Sequence, residues 1–369
     1  MVRIAITGDV CIKRSKKIFL DDSVAQLLSS FDYRIVNLEG PIGNQHSYQP
    51  IKKSGPSLLQ SEVAIDFIRQ IHANALTLAN NHMMDYGEEA LQNTKNGFTD
   101  LQCIGVGNWD ESYKPWIVEK DNLHIAIFSF SEMQFGMLSD EWSQGEQSIG
   151  CAWVNHHKVN EIIRKYKSNM DYVIAIVHAG VENIEVPLPE WRNRYRELIS
   201  NGCDAVISHH PHVVQGFEMF KGKPICYSLG NFCFPLENAT FEWTQGAIAE
   251  IVIEKDCLSI KLHGCKINGN ELSIINDDDW QSQLNDLCAL LNEDVYMEKV
   301  NAACSELLEH YWQLFSCGGL LNPKKIKAKD ICRYLLGKTS YVHLLNNIQC
   351  ESHRWCIERG LMNVIKNAK

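Results

Sequence analysis

From Val2 to about Ile275 the chain alternates short β-branched apolar runs with stretches whose apolar positions recur at helical spacing. "RIAIT", "RIVNL", "ALTLA", "QCIGV", "HIAIFSF", "YVIAIVH" and "CDAVISH" read as strands, and most are too apolar to be half-exposed. A sheet covered by helices on both faces is therefore expected. "SEVAIDFIRQIH" and "YGEEALQNTKNGFTDL" carry the helical pattern between strands. The segment "AIAEIVIEKDCLSIKLHGCKINGNELSII" reads as a β-meander turning at Lys255-Asp256 and Asn268-Gly269. Beyond "NDDDW" the pattern becomes helical throughout, interrupted at "SCGGLLNP" and "LLGKTS". The expected division is residues 1–277 as an α/β domain and 278–369 as a helical extension.

The polar residues at the strand ends change this picture from a fold to a site. Asp9 follows the first strand, Asn37 and Glu39 the second, Asn81 and His82 the third; "AIVHAGVE" adds His178 and Glu182, and "VISHHPHVV" adds His209, His210 and His212. In an open α/β sheet the ligand crevice lies beyond the carboxyl ends of the strands, where residues remote in sequence converge. Carboxylates and a carboxamide are hard oxygen donors, and imidazole suits zinc, iron and manganese, so the mixture describes a first-row divalent metal. It exceeds what one tetrahedral ion needs, and two ions sharing a carboxylate would use it. Any one of these residues alone has a plainer reading: Asp9 or Asp85 as a helix cap or turn former, Glu39 before Gly40-Pro41 as a solvated turn. Their co-occurrence at five strand ends favours the site.

Composition narrows the partners. The 369 residues carry a formal net charge of -10 and no lysine or arginine block long enough to track a phosphate backbone, so nucleic acid is not expected and a small-molecule or polymer substrate is. The fourteen cysteines are scattered, with no C-x-x-C, and are expected to be reduced. "MVRIAITGDV" lacks the features of a secretory signal, and no run approaches the roughly 20 apolar residues of a membrane span, so a cytoplasmic protein is expected.

In order, "GDV", "NLEGPIG", "LANNHMMDYG", "HAGVE", "SHHPHVVQGFE" and "YSLGNFCF" resemble the CapA family of poly-γ-glutamate capsule synthesis, itself similar to the calcineurin-like metallophosphoesterases. The resemblance covers roughly Met1 to Phe234. It implies a four-layer α/β/β/α sandwich and two divalent ions, Mn, Zn or Fe. Asp9 would bind the first, Glu39 would bridge, Asn81, His178 and His210 would complete the second, and His212 would return to the first. His82 would protonate the leaving oxygen, with Asp85 orienting it or capping the next helix. Cys11 stands where such enzymes commonly carry histidine, so the first ion would be short of a ligand, weakly held or bound by a thiolate. Glu182 and Asn231 would orient His178 or the metal-bound water, and Asn231 could equally satisfy backbone within "SLGNF". Lys52 and Lys53 are expected in solvent.

Three functions fit: a metal-dependent hydrolase, most simply a phosphoesterase; a metal-dependent enzyme cleaving or forming amide or γ-glutamyl bonds; and a non-catalytic capsule or polymer assembly protein. Seven converging polar groups favour catalysis, because a scaffold has no need of them. The helical extension is open to use as a lid, a homodimer interface or a docking surface.

Overall fold

Strict alternation along the central strands separates two cores, and this places two sheets face to face. The computed structural model describes residues 1–13, 16–44, 46–138, 149–236, 239–315 and 341–367. In Val2–Val10, Ile4 and Ile6 face one core while Ala5 and Val10 face another. In Leu123–Ser131, Ile125 and Ile127 join Ile4 and Ile6 between the sheets, and Ala126, Phe128 and Phe130 turn outward. Tyr172–His178 repeats the rule with Ile174 and Ile176 inside and Val173, Ala175 and Val177 outside. Each fully buried isoleucine contributes about 1.5–3 kcal/mol.

The nine-stranded sheet runs Phe19–Leu20, Glu271–Ile274, Leu258–Asn268, Gln245–Ile253, Val2–Val10, Tyr33–Leu38, Ala75–Thr77, Gln102–Ile104, with Asn231–Cys233 paired to the end of Val2–Val10. Beyond the parallel edge pairing of Phe19–Leu20 with Glu271–Ile274, its first half is the expected antiparallel meander, and its second half is parallel. The six-stranded sheet runs Phe217–Phe220, Lys223–Cys226, Ala205–His209, Tyr172–His178, Leu123–Ser131, Trp116–Lys120, parallel except at its edges. Helices Asp22–Ser29, Val63–Gln70 and Gly87–Asn96 bury Val24, Leu28, Phe67, Ile68 and Leu91 against the first sheet. Val159–Lys167 and Pro189–Ser200 bury Ile163, Trp191 and Tyr195 against the second. The result is the four-layer α/β/β/α sandwich.

The helices after residue 277 add to these cores. Trp280, Leu284 and Leu287 of Asp277–Ala289 close the space between the sheets, with Trp280 Nε1 donating to the Leu262 carbonyl at 2.7 Å. Glu293–Phe315 and Glu351–Asn367 pack Tyr296, Val300, Cys304, Cys356 and Ile357 into the outer core of the second sheet. The expected breaks at 316–323 and 335–340 lie outside the described residues. No disulfide joins the described cysteines.

Candidate metal centre

Parallel register brings the chemistry together. Asp9 sits level with Asn37 and Asn231, and Asn37 with Thr77, at the carboxyl end of one sheet. His178 sits level with Ser131 and His209 at the carboxyl end of the other. The two rims meet where His209 Nδ1 lies 3.2 Å from Asp9 Oδ1. Gly8 permits the close approach of the Asn231 strand, since a Cβ there would lie 2.1 Å from the Gly230 carbonyl oxygen.

Asp9 is wholly buried, in a strand rather than at a helix cap. Asn37 Nδ2 donates to its Oδ1 at 2.7 Å while Thr77 Oγ1 donates to Asn37 Oδ1 at 3.1 Å, so a short relay fixes the carboxylate. The His210 backbone N–H donates to Oδ2 at 3.1 Å. Burial works to raise this carboxyl, but His209, His178 and His212 outweigh it and hold it well below the ordinary range.

Glu39 has no such support. Both its carboxylate oxygens are buried without a hydrogen-bond partner among the described residues, and three imidazole nitrogens surround Oε1: His212 Nε2 at 3.7 Å, His178 Nε2 at 3.8 Å and His82 Nε2 at 3.8 Å. Burial pushes the carboxyl up to about 8 against the pull of His212. His212 moves the other way: burial lowers it, yet Glu39 and Asp9 raise it to about 10. Alongside, His178 Nε2 lies 2.8 Å from Asn81 Oδ1 and 3.0 Å from His210 Nδ1. Lone pairs thus face one another in a buried space, an arrangement that cations resolve. The residues fit bound metal. Asp9, Glu39 and His212 form one donor group and Glu39, His178 and His210 a second, with Asn81 Oδ1 beside the latter in contact with His178.

His210 and His212 hold φ of 105° and 59°, left-handed conformations uncommon for residues with side chains, on either side of Pro211. His212 is oriented by Asn231, whose Oδ1 lies 3.0 Å from Nδ1 and whose Nδ2 donates to the His212 and Trp243 carbonyls at 3.2 and 3.0 Å. Asn231 thus meets His212 rather than His178, and the backbone it satisfies lies outside "SLGNF". His209, expected only nearby, joins the Asp9 and His178 group. Glu182 is exposed and clusters with His210 and His212 rather than orienting His178.

The loop 78–86 carries His82. Asn80 Nδ2 donates to the Leu38 carbonyl at 2.9 Å, tying the loop to the Glu39 strand. His82 is buried with Nδ1 2.6 Å from Asp85 Oδ2, and burial lowers it to about 4 despite that carboxylate. Asp85 also accepts the Leu58 N–H at 2.7 Å. It orients His82 and does not cap a helix: Gly87–Asn96 is entered from Tyr86 without a side-chain cap. Lys52 is exposed as expected, but Lys53 is not in solvent: its side chain is 5% exposed and ion-paired with Asp85, with Nζ 3.1 Å from His82 Nδ1. The burial of Asp85 draws the ammonium inward. Sequence reasoning also missed Glu132, wholly buried one residue beyond Leu123–Ser131, with Oε1 3.3 Å from His210 Nε2. Its position after a predicted strand was the available signal.

Residues 3–236 match the family described as "Bacterial capsule synthesis protein PGA_cap". The chain belongs to that family. It is 29% identical over 217 residues to "Capsule biosynthesis protein CapA" of Bacillus anthracis, covering 57% of this chain and 52% of that protein. It is 27% identical over 215 residues to "PGA biosynthesis protein CapA" of Bacillus subtilis (strain 168), covering 57% and 55%. The chain thus spans about half the length of these relatives. Solved structures with loose overlap are TT1561 of Thermus thermophilus, at TM-score 0.37 and 10% identity over 70% of this chain and 98% of that one, and Vps29 of Chaetomium thermophilum, at 0.32 and 9% over 74% and 92%. Every residue of the two donor groups lies within the matched span. Cys11 lies there too, but packs with Leu58 and Phe234, and burial holds its thiol well above the ordinary value. No described helix is long and apolar enough to cross a membrane.

Proposed function

We propose that this chain is a metal-dependent hydrolase of phosphoester type, working on a small-molecule substrate in the cytoplasm, with residues 1–277 carrying the chemistry and 278–369 serving as an extension of it. The observation that carries the reading is Glu39, a buried carboxylate with both oxygens unpartnered, ringed by imidazoles. Asp9, Glu39 and His212 would hold one ion and Glu39, Asn81, His178 and His210 the other. When bound, two divalent cations of the manganese, zinc or iron kind supply Lewis acidity and make water acidic enough to act as a nucleophile near neutral pH. Asn37 orients Asp9, and the histidines around it keep it anionic. Asp85 accepts from His82 Nδ1 and leaves Nε2 on the Glu39 side, where it takes a proton as an anionic substrate arrives and gives it to the leaving oxygen.

Family membership favours a second reading, action on an amide or γ-glutamyl bond, because the relatives are named for capsule and PGA biosynthesis. Elemental analysis with a hydrolysis screen over an aryl phosphate, a phosphodiester and γ-glutamyl peptides separates the two. About two metals per chain with phosphoester turnover that fails in His82→Ala is the expected result. Protein that stays inert with manganese, zinc or iron would return the assembly role to first place. A homodimer through the C-terminal helices, where Met362 and Ile365 are exposed, is tested by light scattering.

A further inference from the structure

The cavity above the centre is roofed by residues well beyond the family match. A space of about 340 Å³ has Asn81, His82 and His210 on its floor and His310, Tyr311, His343, Asn346 and His353 from three C-terminal helices overhead. The match ends at residue 236, so the roof lies outside the matched span.

The roof is fastened to the site loops. His343 Nδ1 lies 2.5 Å from Ser54 Oγ, next to Lys53. Ser352 Oγ donates to Glu132 Oε2 at 2.5 Å, and Glu132 is the carboxylate beside His210. The buried Glu351 accepts from the Met133 N–H at 3.1 Å, Trp153 Nε1 at 3.2 Å and Asn155 Nδ2 at 2.7 Å. Each such bond to a charged group is strong enough to hold a helix end in register. His353 is set by Asn347 Oδ1, 3.1 Å from its Nδ1, and by the Tyr311 ring, centroids 4.5 Å apart.

We propose that this roof is a recognition subsite for a second anionic group, carboxylate or phosphate, on a small substrate whose reacting ester lies at the metal centre. The roof offers imidazole, carboxamide and phenol groups, all able to donate, and no carboxylate; Glu182, in the wall, is the acid of the cavity lining. Asn346 Nδ2 lies 3.3 Å from His353 Nδ1, so the imidazoles and the phenol are the groups that turn to a ligand; an apolar substrate end offers them no acceptor, whereas an oxyanion engages several at once. The volume stands near the lower end for small-ligand pockets, which suits a single small molecule rather than a polymer strand. The subsite rests on the hydrolase reading above, and the test keeps the two apart.

Calorimetric titration of the full manganese-loaded chain with three non-hydrolysable phosphonates reads it without turnover: propylphosphonate, 3-phosphonopropionate and ethane-1,2-diphosphonate. At least one of the two bifunctional compounds is expected to bind about tenfold tighter than propylphosphonate, and which one does so identifies the second group. His343→Ala and His353→Ala should abolish that advantage and leave propylphosphonate affinity unchanged; the conservative His343→Gln and His353→Gln serve if the alanine forms fold poorly, and should retain part of it. Equal binding of all three compounds by the wild type, or an advantage intact in the variants, overturns the subsite alone. Absence of phosphonate binding together with absence of aryl phosphate turnover overturns the hydrolase reading and the subsite with it.

Discussion

Replacing Glu39 by glutamine separates what the carboxylate costs the fold from what it does for the metals. In chelated protein the group is buried, unpartnered and raised from 4.5 to about 8. A carboxyl raised on folding contributes its full stability below the unfolded value and loses it as pH climbs through the folded one. At pH 7 the folded chain therefore carries a penalty of about 2.5 pH units at about 1.4 kcal/mol each, or about 3.5 kcal/mol. Glutamine keeps the shape without the charge but gives up the attraction to His212, so metal-free Glu39→Gln should exceed metal-free wild type by about 1–3 kcal/mol at pH 7. The gap should close near pH 4.5. With manganese the order should reverse, because a ligand at a hundred times its Kd adds about 2.7 kcal/mol, and the variant lacks the shared carboxylate. For 369 residues at about 2.1 cal/mol/K each, 1 kcal/mol is about 1.3 °C, so scanning calorimetry should resolve shifts of up to about 4 °C. A variant less stable than wild type in chelator at pH 7, or a wild type whose melting ignores manganese, would refute the reasoning.

His82→Ala should lower kcat by about a hundred- to ten-thousandfold while metal stoichiometry stays unchanged, as steady-state kinetics and elemental analysis would show. Glu218 accepts from Arg192 at 2.7 Å, Arg196 at 2.7 and 2.8 Å and Tyr227 at 2.8 Å; burial opposes ionisation, yet these donors depress it to about 2. Its stabilisation is present above the unfolded value near 4.5 and lost as pH falls towards 2, so Glu218→Gln should cost about 1–2 kcal/mol at pH 7 after allowance for solvent screening, and nothing near pH 2, in urea titrations. Trp280→Ala should cost about 3–5 kcal/mol by the same assay, as the side chain is wholly buried between the sheets. Gly8→Ala would set a Cβ 2.1 Å from the Gly230 oxygen and push apart the strands that carry Asp9 and Asn231, so equilibrium dialysis should show weakened manganese binding.

Hydrophobic alternation reveals which face of a strand is buried, and a parallel sheet aligns strand ends, so residues written at those ends in sequence converge in space. That is why Asp9, Glu39, His178, His210 and His212 were legible from the sequence. Glu132 obeys the same rule: its N–H donates to the His178 carbonyl at 3.1 Å, next to the pairing of Ser131 with His178. It was overlooked because one glutamate after "FSFS" looks like an ordinary strand exit. Lys53 was illegible for a different reason, since its burial depends on Asp85, 32 residues on, reaching across a loop with no periodic signal. The roof is the extreme case. Helical spacing showed that the extension has apolar faces, but the contact of Ser54 with His343 spans 289 residues, and periodicity carries no information about which distant loop a helix end will meet. The candidate site's convergence could be read because its residues share one architectural device, while the groups that would choose a substrate are joined to it only by tertiary packing. Specificity in this chain should therefore be sought by mutation of the C-terminal helices rather than from the strand-end residues.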